Sequence, residues 1–196
     1  MPGTAESDGN TPLSPEELDE LVPSLATKEE LNEFERENIL QAEQWAMSTR
    51  NINSLDPVTD DYIRKLHGKM FDQTWKWAGM YRRTEKNIGV PVHRIREDLG
   101  ILLGDVRFWI ENKTYAIDEI ATRFHHRLVQ IHLFPNGNGR HARLIADVLV
   151  VKLGGQRFTW GRKDLIKPSD TRQTYLEALR AADRDDFTRL LEFVRS

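Results

Sequence analysis

Between His132 and Arg143 the chain concentrates two imidazoles, two Asn-Gly pairs and two guanidinium groups: His132 and His141, Asn136-Gly137, Asn138-Gly139, Arg140 and Arg143. A glycine-rich turn that opens onto a helix leaves backbone N–H groups without partners at the positive end of the helix dipole, which makes an anion site. Gly137 and Gly139 let the backbone approach an oxygen-bearing ligand closely. Asn138 either holds the turn or donates an amide hydrogen. Arg140 and Arg143, three residues apart, lie on nearly one helical face, and two guanidinium forks on one face suit a di- or triphosphate. His132 stands at the mouth of the turn, where a base for an incoming hydroxyl is useful. Two plainer readings compete. Asn-Gly is a hairpin signal, but neither flank has the alternation of a strand. A glycine-rich helix connection with solvated arginines needs no ligand at all.

The elements that must position this loop are helical. Ile117, Ile120, Phe124, Leu128 and Ile131 step by three, four, four and three, an amphipathic helix aimed into the loop. Leu144, Ile145, Val148, Leu149 and Val151 follow it as a nearly all-round apolar helix that must be central, and Gly154-Gly155 stops it. Upstream, Ser14-Pro15-Glu16-Glu17 and Thr27-Lys28-Glu29-Glu30 are capping boxes opening two helices, the first ended by Pro23. The second carries Leu31, Phe34, Asn38, Ile39, Ala42 and Trp45 until Asn51, Asn53, Ser54 and Pro57 break it. Tyr62 to Phe71 and Ile95 to Ile110 read as further helices, and Leu176 to Val194 as two more. Ile88-Gly89-Val90-Pro91-Val92 is β-branched and Gly/Pro-marked, so a hairpin or extended flap is expected there. The expected class is all-α, a helical bundle of six or seven helices with one small β-hairpin flap.

The bulk numbers bound the function. A chain of 196 residues can bury one real core, and 39% apolar with 30% charged content leaves part of it outside that core. Half of the prolines fall in the first 23 residues, so 1–12 is expected to be a disordered tail, 13–50 an N-terminal helical region and 51–196 the main domain. A net charge of −3 argues against direct nucleic-acid binding and against acidic membranes. No cysteine is present, which fits a reducing compartment, and no signal peptide or membrane span is read. The expected location is cytoplasmic.

The loop strongly resembles the signature of the Fic family, His-Pro-Phe-x-Asp/Glu-Gly-Asn-Gly-Arg-x-x-Arg. It matches at His132, Phe134, Gly137, Asn138, Gly139, Arg140 and Arg143. Trp77-Ala78-Gly79 with Tyr81-Arg82, the stretch Phe124 to His132, and Tyr175 to Phe187 extend the resemblance over about 60–195, and the whole looks most like the subgroup called mobile mystery protein B. The resemblance implies a Fic fold and a protein adenylyltransferase that moves AMP from ATP to a Tyr, Thr or Ser hydroxyl of a target protein. His132 would take the hydroxyl proton. Gly137, Asn138 and Gly139 would cradle the phosphates with Arg140 alongside, and Arg143 would hold the γ-phosphate. Phe134 would anchor the loop. The flap at Ile88, Gly89 and Val90 would clamp the target by backbone pairing. Family context also implies an antitoxin-like or regulatory partner.

Two positions depart from the signature. Leu133 replaces Pro. Asn136 replaces the acidic residue that binds Mg²⁺, leaving a neutral amide oxygen as a weak ligand. That departure keeps a phosphotransferase or phosphodiesterase variant, and a weakly catalytic nucleotide-binding module, beside adenylylation. A histidine-based metallohydrolase is disfavoured, because no carboxylate is placed among His125, His126, His132 and His141. Many Fic proteins carry an inhibitory helix, Ser/Thr-x-x-x-Glu-Gly/Asn, whose Glu pairs with the second signature arginine. Here Glu37-Asn38 fits that pattern, but Glu33 stands at the Ser/Thr position, and a solvated acidic face is the simpler account of Glu37. His125 and His126 read as packing groups, and Trp45, Trp75 and Trp77 as core. Arg82, Arg83, Lys86, Arg94 and Arg96 read as a basic stretch that either steers an acidic target or is solvated.

Overall fold

The computed structural model describes residues 12–23, 27–162, 165 and 169–196. The expected tail, apart from Pro12, lies outside the described residues. Nine α-helices are formed among those described: α1 (Pro15–Leu18), α2 (Lys28–Ala46), α3 (Thr49–Ser54), α4 (Asp60–Phe71), α5 (Ile95–Asn112), α6 (Ile117–Ile131), α7 (Asn138–Lys152), α8 (Asp170–Ala182) and α9 (Thr188–Arg195). Both capping boxes close as the sequence requires. Ser14 Oγ accepts from Glu17 N–H while Glu17 accepts from Ser14 N–H, and Thr27 and Glu30 do the same. α1 is the short helix expected after Ser14, while α3, also begun at a serine cap, runs through Asn51, Asn53 and Ser54, residues expected only to break α2.

α6 and α7 pack on each other as the centre of the fold, joined by the loop 132–137. α4 covers α7 on one side and carries α2 on its outer face, while α5 packs on α6 and the α8–α9 pair closes the remaining side. The core runs through all of these layers, with Ile63, Leu66, Phe71, Val106, Phe124, Ile131, Phe134, Ile145 and Leu190 buried. α7 is buried over most of its length because helices cover several of its faces, as its all-round apolar composition demands. No described helix is long and apolar enough to cross a membrane.

The expected flap hairpin is the main correction. Among the described residues the only bridge between extended segments is Leu21 with Trp75, and residues 81–91 form no strand ladder. The two limbs are joined instead through a side chain. Arg82 reaches from the outgoing limb and donates to the Val90 carbonyl on the returning limb, so that carbonyl is already engaged.

Candidate active site

The loop is built on two left-handed residues. α6 ends where His132 takes φ 58°, ψ 65°, and α7 begins behind Gly137 at φ 76°. Gly137 must be glycine, since a Cβ there would lie 2.5 Å from the Phe71 ring. Between these points Phe134 plunges into the core and stacks on His67, with ring centroids 3.7 Å apart. Asn138 closes the loop from within. Its Oδ1 accepts from Phe134 N–H at 2.9 Å and its Nδ2 donates to the Phe134 carbonyl at 2.8 Å. Of the two roles the sequence left open for Asn138, holding the turn is the one this geometry fills.

His67, unremarked in the sequence, is the loop's underside support. Gly79 N–H donates to its Nδ1 at 3.0 Å, so the proton sits on Nε2, which donates to the Asn136 carbonyl at 3.1 Å. His141 likewise donates from Nε2 to the Ile63 carbonyl at 3.0 Å. Complete burial holds both rings in the neutral form, with the neighbouring His141 adding to the effect on His67. These two histidines stiffen the loop from beneath.

His132 is 5% exposed. Burial first, then the cations Arg82 and Lys86, push its pKa down to about 4, so the ring is neutral at physiological pH and able to accept a proton. The flap lies on top of it. Val90 N–H reaches the Ile131 carbonyl at 3.4 Å, and a Cβ on Gly89 would stand 2.6 Å from the His132 Cβ. Ile88 at the tip is exposed and Val90 half-buried.

Asn136, Gly139, Arg140 and Arg143 are the half-buried groups at the opening. Gly139 is informative. Its φ is not positive and a Cβ would meet nothing closer than 3.7 Å, so the fold itself does not require glycine there. Asn136 Oδ1 accepts from Gly137 N–H at 2.6 Å and lies 3.5 Å from Arg140 Nη2. That oxygen faces a guanidinium and an amide hydrogen, a setting that suits a metal ion poorly. No group of three or more His, Cys, Asp or Glu able to hold a metal occurs among the described residues. The residues present therefore do not fit a resident Mg²⁺.

The arginines diverge. Arg140 Nη1 donates to Glu35 Oε2 at 2.6 Å and its Cζ lies 4.9 Å over Phe71, on the α2–α4 side. Arg143 faces α8, with its Cζ 5.6 Å from the Tyr175 ring. The acid that reaches the site from α2 is thus Glu35, which also accepts from Trp75 Nε1 at 2.7 Å. Glu37, which the family pattern would pair with Arg143, is exposed on the opposite side of α2. The sequence did carry a signal for Glu35: it falls on the buried stripe with Asn38, Ala42 and Ala46, where a carboxylate needs a partner.

A family model described as Fic/DOC matches residues 57–150. The chain carries a Fic/DOC domain. That stretch spans α4, the flap, α5, α6, the loop and most of α7, the parts just described. Among curated relatives, the chain is 29% identical over 147 residues to "Protein adenylyltransferase Fic" of Nematostella vectensis, covering 73% of this chain and 33% of that protein. It is 28% identical over 143 residues to "Protein adenylyltransferase fic-1" of Caenorhabditis elegans, covering 71% and 27%. The chain thus spans about a quarter to a third of the length of these relatives. In fold it resembles Fic-1 of C. elegans (TM-score 0.64, 22% identity, 88% of this chain and 50% of that one). It also resembles BepC of Bartonella tribocorum, solved with AMPPNP bound (TM-score 0.66, 17% identity, 87% and 88%). The all-helical Fic fold is shared with these structures.

Proposed function

We propose that this Fic/DOC domain is a protein adenylyltransferase, transferring AMP from ATP to a hydroxyl side chain of a target protein, and that the structure is its restrained state. The reading is supported by the relatives named as adenylyltransferases and by the nucleotide-bound Bartonella neighbour. The observation that carries it is Gly139, in the first turn of α7, where the fold leaves room for a side chain and the sequence supplies none. A phosphate brought against the N–H groups of that turn would use the space.

In the reaction the target hydroxyl loses its proton to neutral His132 as its oxygen attacks the α-phosphorus. The bond from the α-phosphorus to the bridging oxygen breaks, pyrophosphate leaves, and the product is an AMP phosphodiester on the target. Such transfers need positioning and charge neutralisation more than covalent help. The first turn of α7, Arg140 and Arg143 provide those. Any Mg²⁺ enters with the phosphates of ATP, since Asn136 offers no charge to hold it. Two contacts restrain the site. Glu35 engages Arg140, and the flap buries His132. The N-terminal helix is therefore read as autoinhibitory through Glu35 rather than Glu37. Incubation of the chain and of a cell lysate with ATP, followed by mass spectrometry, tests the reading. AMP adducts on Ser, Thr or Tyr with the parent chain, lost with His132→Ala, support it. Thermal protection by ATP without any adduct would instead support a nucleotide-binding module.

A further inference from the structure

The family signature leaves one buried cation unexplained. Arg82 is 2% exposed. A guanidinium taken out of water must have acceptors around it. Arg82 finds them in backbone carbonyls: Nε donates to His132 O at 2.6 Å, Nη1 to Thr84 O at 3.1 Å and Nη2 to Val90 O. Its own backbone N–H donates to Leu133 O at 2.9 Å. The neighbouring carboxylate of Glu85 is 3.6 Å away with a mostly solvated side chain, so it screens the charge only weakly. One planar fork thus joins the reacting loop, the outgoing limb of the flap and its returning limb.

The carbonyl it grips belongs to a strained residue. A non-glycine residue in the left-handed region, such as His132, is strained and persists only when its surroundings hold it. The φ and ψ of that residue decide where its imidazole points. A charge-assisted bond to its carbonyl holds the strained geometry in place. The returning limb is fitted to the same two groups, because a Cβ on Gly89 would lie 2.6 Å from His132 Cβ and 2.9 Å from Arg82 Nη2.

We infer that Arg82 is a positioning residue for the transfer: its guanidinium fixes the backbone of His132, and so the imidazole, in register with the flap on which the target segment docks. This rests on the reading of His132 as the proton acceptor. Arg82 touches no reacting atom. A lysine would keep the charge but offer no planar fork to serve three carbonyls.

The test uses the full chain with Arg82→Gln and Arg82→Lys. Three readouts are taken: the titration of the His132 imidazole by NMR, amide hydrogen exchange at Val90, and kcat against KM for ATP with α-labelled nucleotide. Arg82→Gln is expected to raise the His132 midpoint by about one unit, because a cation is lost and water enters. It should also speed Val90 exchange and lower kcat on the order of 100-fold, with KM for ATP within about two-fold because the triphosphate site is untouched. Arg82→Lys should fall between, and it carries the same readouts should Arg82→Gln not fold. An unchanged His132 titration with unchanged Val90 exchange would overturn the inference, as would a loss of kcat fully accounted for by unfolded protein. Absence of AMP transfer in the parent chain would sink the transferase reading alone, since titration and exchange still decide what Arg82 holds.

Discussion

Arg140 on α7 and Glu35 on α2 form an ion pair at 2.6 Å, with both side chains largely buried and Trp75 Nε1 bonded to the same carboxylate. The pair places an acid where an anionic ligand of Arg140 would sit. Glu35→Gln should keep an acceptor for Trp75 but release Arg140. ATP affinity should rise on the order of ten-fold, equivalent to about 1.4 kcal/mol, with a parallel gain in automodification. Glu37→Gln should change neither, since Glu37 is exposed. Titration of the two variants with ATP by calorimetry compares them directly, and equal behaviour would remove Glu35 from the account.

Gly139 separates ligand approach from folding. Alanine in a helix is favoured over glycine by about 1 kcal/mol, and nothing within 3.7 Å opposes a methyl group at Gly139. Gly139→Ala should therefore raise the melting temperature by about 2–4 °C while weakening ATP binding by ten-fold or more. Gly137→Ala should lower the melting temperature, because the methyl meets the Phe71 ring at 2.5 Å. Unchanged ATP affinity in Gly139→Ala would mean that no phosphate approaches the first turn of α7.

Buried neutral histidines set the response to acid. His132 and His141 have folded pKa values near 4, below the ordinary 6.5. The unfolded chain then binds more protons between pH 6.5 and 4, so stability is full above 6.5 and falls as the pH drops through that window. Each ring contributes on the order of 3 kcal/mol when the window is crossed. His67 and His125 are depressed in the same direction. Denaturant unfolding at pH 7.5 and 5 checks this, and a flat profile would contradict it.

The flap is also held from outside. Glu17 of α1 accepts from Lys86 Nζ and from Thr84 Oγ1 at 2.9 Å, and Lys86 Nζ donates to Pro12 O at 3.1 Å. Glu17→Gln should weaken this latch, speed amide exchange across 84–90 and cost about 1 kcal/mol, leaving exchange in α6 and α7 unchanged. Uniform exchange would show that the N-terminal segment does not restrain the flap.

What could be read from the sequence was local. The capping boxes at Ser14 and Thr27, the period of α6 and the chemistry of the loop are written in neighbours a few residues apart, and the fold class followed from them. What escaped was settled by distant partners. Which residue the buried face of α2 meets depends on how α2 lies across α4, so the spacing of Glu35 with Asn38, Ala42 and Ala46 marked it as inward-facing without naming Arg140 as its partner. Arg82 looked like one member of a basic stretch because its acceptors include a carbonyl 50 residues away. The flap's β-branched run suggested strands, but its two limbs are joined through the Arg82 side chain instead. His67 gave no sign at all, since its partners Gly79 and Asn136 come together only in the fold.

The position of Asn136 yields a further expectation. Asn136→Asp adds the charge that a divalent cation needs, so transfer by that variant should become steeply Mg²⁺-dependent. Superimposable Mg²⁺ titration curves for the two proteins would count against any role of this side chain toward the metal.

In the proposed reaction His132 activates a hydroxyl against the α-phosphorus of ATP. The most direct measurement incubates Glu35→Gln, with and without His132→Ala, with ATP labelled at either the α- or the γ-phosphorus. Protein labelled from the α position alone, lost when His132 is replaced, is the expected result. Label from the γ position, or α label that persists without His132, would contradict it.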